Sequence, residues 1–192
     1  VNKKDTLMYS QITKVNMTSN LESLLPHLNR DQNNVLFVPS SNSTFITNLF
    51  NYLVNVLNKK EFKNTQITLI GLEEWLKYEN IDLEYFQRLN VYIPVTQHIN
   101  YEDSLTNNFT NSYVEKNNTF PSKISFLGYD IATYFAGNLK AYGSVYLNSE
   151  THSEVENYSI KQSFFKTGIE SGYENTNSYM LHFDNYILKK VD

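Results

Sequence analysis

Two short, almost wholly apolar runs bracket an amphipathic helix in the first third of the chain. This order constrains the fold more than any other feature. Asn34 to Pro39 reads NVLFVP and Gln66 to Gly71 reads QITLIG. Short continuous apolar runs without polar alternation suit strands buried on both faces, as in a parallel sheet. Between them Phe45, Ile46, Leu49, Phe50, Leu53, Val54 and Leu57 recur at the i, i+3, i+4 spacing of one helix face, behind Ser41 or Ser43 as N-cap. Strand, helix, strand in that order predicts a right-handed βαβ unit.

The pattern extends on both sides. Met8 to Val15 reads as a preceding strand, and Asn20 to Asn29 as a short helix that Pro26 kinks or restarts. A helix over Ile81 to Leu89 and a strand over Val91 to Pro94 follow. The expected fold class is α/β: a three-layer α/β/α lobe over residues 8 to about 95, with a mainly parallel sheet covered on both faces. The second half predicts helices over Tyr101 to Lys116 and Ser125 to Tyr142, then a polar linker from Gly143 to Tyr158. C-terminal strands are expected over Ser178 to Phe183 and Tyr186 to Val191, with Asp184-Asn185 as turn residues between them. The domain reading is 1–98 for the α/β core, 99–148 for a helical segment and 149–192 for a loop and the closing strands.

Charge and composition narrow the function. The net charge is −4 and no long basic stripe runs along the chain, so nucleic acid is not an expected partner. Without cysteine there is no disulfide, thiol nucleophile or iron–sulfur cluster. No apolar run approaches the roughly 18 residues of a membrane helix; no signal peptide is visible, and because the sequence starts at Val1 without Met that absence says little about export. His27, His98, His152 and His182 are scattered, so no metal site is expected. The sequence has no G-x-S-x-G elbow, P-loop or G-x-G-x-x-G fingerprint. The expectation is a binding module with no cofactor, not an enzyme.

The ordered series NLESLLPHL, NVLFVPSSNSTF, QITLIGLEEW, NIDLEYFQRLNVYIPV, NYEDS and TFPSKISFLGYDIATYF resembles the second lobe of type I periplasmic binding proteins of the branched-chain amino-acid receptor kind. The wording is closest to a Bacteroidetes branch of LysM-associated, receptor-like lipoproteins, and SGYENTNSYMLHF looks similar to that branch's closing strands. The resemblance covers about three quarters of the chain and implies a location in the periplasm or cell envelope. It implies an amino-acid-like ligand gripped by hinge closure against a first lobe that this sequence lacks. In intact members residues 99–148 include the hinge and a helix of the other lobe. The apolar face Ile131, Phe135 and Leu139 is therefore expected to be exposed or covered by a second copy of the chain.

Ligands of open parallel sheets sit beyond the carboxyl ends of strands. Two such ends are candidates. Ser40, Ser41, Asn42 and Ser43 follow NVLFVP, where hydroxyls and a helix N-terminus suit a carboxylate. Helix capping alone also accounts for these residues. Glu73, Glu74 and Trp75 follow QITLIG. By the resemblance, Glu73 pairs with a ligand ammonium and Trp75 forms an aromatic wall; the plain alternative is a solvated acidic loop with Trp75 packed on the lobe. Asp130, in Gly128-Tyr129-Asp130, reads as a charge near a helix N-terminus. An alternative function is a structural or protein-interaction module of an envelope lipoprotein, without ligand.

Overall fold

The computed structural model describes residues 12–17, 20–144, 157–168 and 170–191. The chain is mixed α/β, with one mixed five-stranded sheet and a separate two-stranded antiparallel one. It divides into two compact units. The first holds residues 1–93 and 182–189, the second 94–181 and 190–192.

In the first unit, β1 (Asn33–Phe37) and β2 (Gln66–Ile70) pair in parallel, from Asn33 opposite Gln66 to Phe37 opposite Ile70. β3 (Val91–Val95) adds to β2, also in parallel. The connections run through α1 (Ser43–Leu57) and α2 (Leu83–Arg88). Strands added in one direction by right-handed crossovers place both helices on the same face of the sheet. That face carries Ile67, Leu69, Val91 and Ile93. They are buried together with Ile46, Leu49, Phe50, Leu53 and Val54 of α1 and with Phe86 of α2. An aromatic chain binds the layers: Phe50 lies 5.1 Å from Phe86, and Phe86 4.8 Å from Phe183.

The opposite face departs from the expected three-layer cover. Val35 is 61% exposed and Phe37 63%. The inner strands carry a polar ladder on that side. Thr68 Oγ1 accepts from Asn33 Nδ2 (3.1 Å) and Asn90 Nδ2 (2.8 Å), and His182 Nε2 lies 2.7 Å from Asn90 Oδ1. His182 also stacks on Tyr92 at 4.4 Å. The reason is topological: successive crossovers in one direction supply helices to one side only. Of the expected strand over Met8 to Val15, residues 8–11 lie outside the described residues, and Ile12 to Val15 form no strand. The expected helix over Asn20 to Asn29 is a 3-10 helix, Leu21–His27, capped by the Asn20 side chain. Pro26 has no N–H for an α-helical bond there.

The second unit contains α3 (Ser104–Asn117), capped by Asp103, and α4 (Lys123–Tyr142), which opens on a reciprocal capping box between Ser122 and Ser125. Asn118 ends α3 in the left-handed conformation, at φ 52°. β4 (Phe164–Lys166) and β5 (Tyr173–Asn175) form a short antiparallel pair that the sequence pattern did not announce. The expected linker falls largely on residues 145–156, outside the described residues. β6 (Tyr179–Asp184) and β7 (Ile187–Val191) lie close to their expected spans and complete the sheet order β1-β2-β3-β6-β7. On α4, Ile131, Phe135 and Leu139 are exposed, whereas Asp130 and Asn138 are fully buried.

Gly71 holds the tightest packing constraint of the first unit. A Cβ built there would lie 2.3 Å from the Trp75 ring, so any side chain must displace the indole. Gly71→Ala is expected to cost about 1–3 kcal/mol. Because Trp75 is the only tryptophan, its emission reports the site directly: a red shift together with a lower urea midpoint is the expected result.

Candidate functional site

The parallel register sets β1 and β2 side by side, so the loops after them leave the same edge of the sheet. The Ser40–Ser43 loop runs into α1, and the Gly71–Leu72 corner runs into a 3-10 helix, Glu73–Lys77. Two side chains of the second loop fasten the first. Trp75 Nε1–H donates to the Ser40 carbonyl at 2.8 Å, and the Tyr78 hydroxyl donates to the Ser41 carbonyl. The geometry brings all seven candidate residues to one edge and gives them different tasks.

Three of the seven have structural partners. Asn42, rather than Ser41 or Ser43, caps α1: its Oδ1 accepts from Phe45 N at 2.9 Å. Ser40 Oγ accepts from Asn42 N at 3.3 Å. Trp75 is fully buried and meets Phe50 edge-on at 5.5 Å. It packs in the core and forms no aromatic wall for a ligand. The other four remain available. Among the described residues nothing pairs with the hydroxyls of Ser41 and Ser43 or with the carboxylates of Glu73 and Glu74. Ser41 and Glu74 are exposed; Ser43 and Glu73 are half-buried. The edge therefore presents hydroxyls beside a helix N-terminus and acids beside the neighbouring strand end. That arrangement offers donors to an anion and acceptors to a cation.

A second polar centre, in the second unit, was not legible as such. Asp130 is the eighth residue of α4 and is fully buried, so it is not the helix-start charge expected from the sequence. One oxygen accepts from Tyr158 N at 2.8 Å. The other accepts from Ser159 N and Ser159 Oγ, both at 2.7 Å, and from Ile160 N at 3.1 Å. Four converging donors replace the water that a buried carboxylate loses. The clamp fixes the returning chain against α4. Its signal in the sequence was weak, because the donors are mostly backbone N–H groups 28 to 30 positions away.

Two cavities flank this returning segment within the second unit. One of about 370 Å³ is lined by α3, Tyr129 and Tyr158. The other, about 210 Å³, is lined among others by His98, Asp103, Thr106, Tyr179 and Lys190. Burial, and then the charges of Lys190 and Lys123, hold the His98 imidazole below its ordinary value. Burial and the nearby Asp130 charge push the Tyr179 phenol up. Both groups thus stay neutral around neutral pH. Among the described residues no group of three or more His, Asp or Glu side chains is placed to hold a metal ion. No described helix is long and apolar enough to cross a membrane.

Compared with known proteins, the chain matches no family model and no curated protein.

Two outcomes test these centres. Asp130→Asn puts an amide among four donors and is expected to cost about 2–4 kcal/mol in urea unfolding, with Asp130→Ala at least as damaging. For His98, the folded state disfavours the protonated ring, so the unfolded chain binds more protons in the acid range. The stability His98 contributes is complete above about pH 6.5 and is lost as the pH falls below it. Thermal midpoints should therefore fall between about pH 7.5 and 5.5, and His98→Asn should flatten that slope.

Proposed function

We propose that the chain is the second lobe of a receptor-like, type I periplasmic binding protein of the cell envelope. It acts as a non-enzymatic module that takes a small amino-acid-like solute at the β1–β2 edge. The supporting observation is that Ser41, Ser43, Glu73 and Glu74, whose side chains have no partner among the described residues, all stand in the loops that leave that edge. A ligand carboxylate would accept from the two hydroxyls and the first N–H groups of α1, and a ligand ammonium would meet Glu73. The side chains of Ser40, Asn42 and Trp75 brace the loops and are not in contact with ligand.

In this reading the partner lobe lies outside this chain and hinge closure completes the site. The exposed stripe of Ile131, Phe135 and Leu139 is where that lobe, or a second copy of the chain, would pack. A second reading, a scaffold that binds no solute, is favoured by one observation. The loop residues with the best-placed polar atoms, Asn42 and Trp75, already serve the cap and the core.

Titration calorimetry against an amino-acid panel separates the two. One lobe supplies part of the contacts, so the expected dissociation constant is on the order of millimolar. Glu73→Gln should weaken it about tenfold, the effect of losing one exposed charge-assisted contact. Binding that Glu73→Gln leaves unchanged removes Glu73 from the site. No heat with any panel member supports the scaffold reading.

A further inference from the structure

The groove along α3 has a composition that the strand-edge reading does not use. Two adjacent rows of the helix line it. Phe109 and Tyr113 stand one turn apart, and beside them Asn108, Ser112 and Lys116 form a second row at the same spacing. Tyr129 and Tyr158 close the other side: Phe109 lies 5.0 Å from each. Asn108, Ser112 and Lys116 are exposed and have no partner among the described residues. Asn117 ends the groove, its Nδ2 tied to the Tyr113 carbonyl and its Oδ1 left without a described partner.

An aromatic wall beside a rim of amides and a hydroxyl matches one ligand chemistry closely. A pyranose ring has an apolar face of C–H bonds that lies against an aromatic ring, and an equatorial rim of hydroxyls that exchanges hydrogen bonds with neutral amides. The rim carries a single formal charge, Lys116, so neither a polyanion nor a strongly charged peptide is matched. The lining from Asn108 to Asn117 spans about 13 Å at the rise of an α-helix, longer than one sugar ring. The cavity of about 370 Å³ falls in the range of small-molecule sites. We propose that this groove is a glycan-binding subsite that takes two linked pyranose rings, with Tyr129 as the stacking platform and Asn108 and Ser112 as hydroxyl partners. None of its lining residues belongs to the β1–β2 loops.

The test is amide and side-chain NMR of the whole chain, titrated with cellobiose, chitobiose and maltose, with adenosine and a phenylalanine amide as controls. At least one disaccharide should shift the resonances of residues 108 to 117, Tyr129 and Tyr158, saturably and with a dissociation constant on the order of millimolar. Asn108→Ala lies on an exposed helix position, and Tyr129→Ala truncates a side chain that is 43% exposed. Asn108→Ala should weaken binding several-fold with the spectrum otherwise unchanged. Tyr129→Ala should abolish it, while Tyr129→Phe keeps it. The proposal is overturned if no disaccharide shifts these residues at tens of millimolar. It is equally overturned if adenosine or the phenylalanine amide binds there and the sugars do not, or if Asn108→Ala and Tyr129→Ala both bind as the wild type does.

Discussion

A slip of one residue in the parallel register of β1 and β2 would turn Ile67 and Leu69 away from α1 and put Thr68 into the core. The first unit is built on preventing that slip. Asn34 is one device: its side chain takes the Asn29 N–H and donates to the carbonyls of Asn29, Gln32 and Gln66, locking the entry to β1 against β2. Thr65 adds another by donating to the Arg30 carbonyl. With the register held, the loops after both strands must emerge together, and the indole of Trp75 can reach the Ser40 carbonyl. The candidate edge is thus a product of strand pairing more than of loop sequence.

The parts of this fold that were legible in the sequence share one property: their signal is local. Six-residue apolar runs marked β1 and β2 as strands, but only in β2 did the run mean burial: β1 is an edge strand whose Val35 and Phe37 are exposed. The α1 stripe was legible because a helix repeats its buried face every turn. The cap of α1 was missed by one residue, since Ser, Asn and Ser stand together and only backbone geometry decides which oxygen reaches Phe45 N. For Trp75 the sequence left two readings open, ligand wall or packed ring, because the choice depends on Gly71 leaving room for the ring. Asp130 was unreadable for a stronger reason. Whether a carboxylate on a helix is a surface charge or a buried clamp depends on where a segment almost thirty residues later returns.

The two units handle polar groups in opposite ways. In the first, the polar ladder of Asn33, Thr68, Asn90 and His182 lies on the side of the sheet away from the helices, while the helix side is apolar. In the second, α4 turns Asp130 and Asn138 inward and leaves Ile131, Phe135 and Leu139 outside. Such an inversion is stable only because the buried carboxylate is fully hydrogen-bonded. The second unit thus joins these directional contacts to an aromatic cluster, in which Phe109 lies 4.8 Å from Phe126 and 5.0 Å from Tyr158. Directional contacts tolerate substitution poorly, whereas an apolar core tolerates swaps of similar volume.

The left-handed positions of the chain carry a different consequence. Among the described residues four non-glycine positions have a left-handed φ, and three of them, Asn90, Asn118 and Asn185, are asparagine where glycine is the usual solution; the fourth is Tyr186. Each asparagine sits less comfortably in that backbone region than glycine would. An asparagine, however, wanders over far less conformational space than a glycine before the chain folds. The discomfort in the native turn is therefore offset in the denatured ensemble, where fewer states have to be surrendered. At these three corners the chain's preference for asparagine is a choice of where to place a penalty: in the finished structure and not in the search that leads to it.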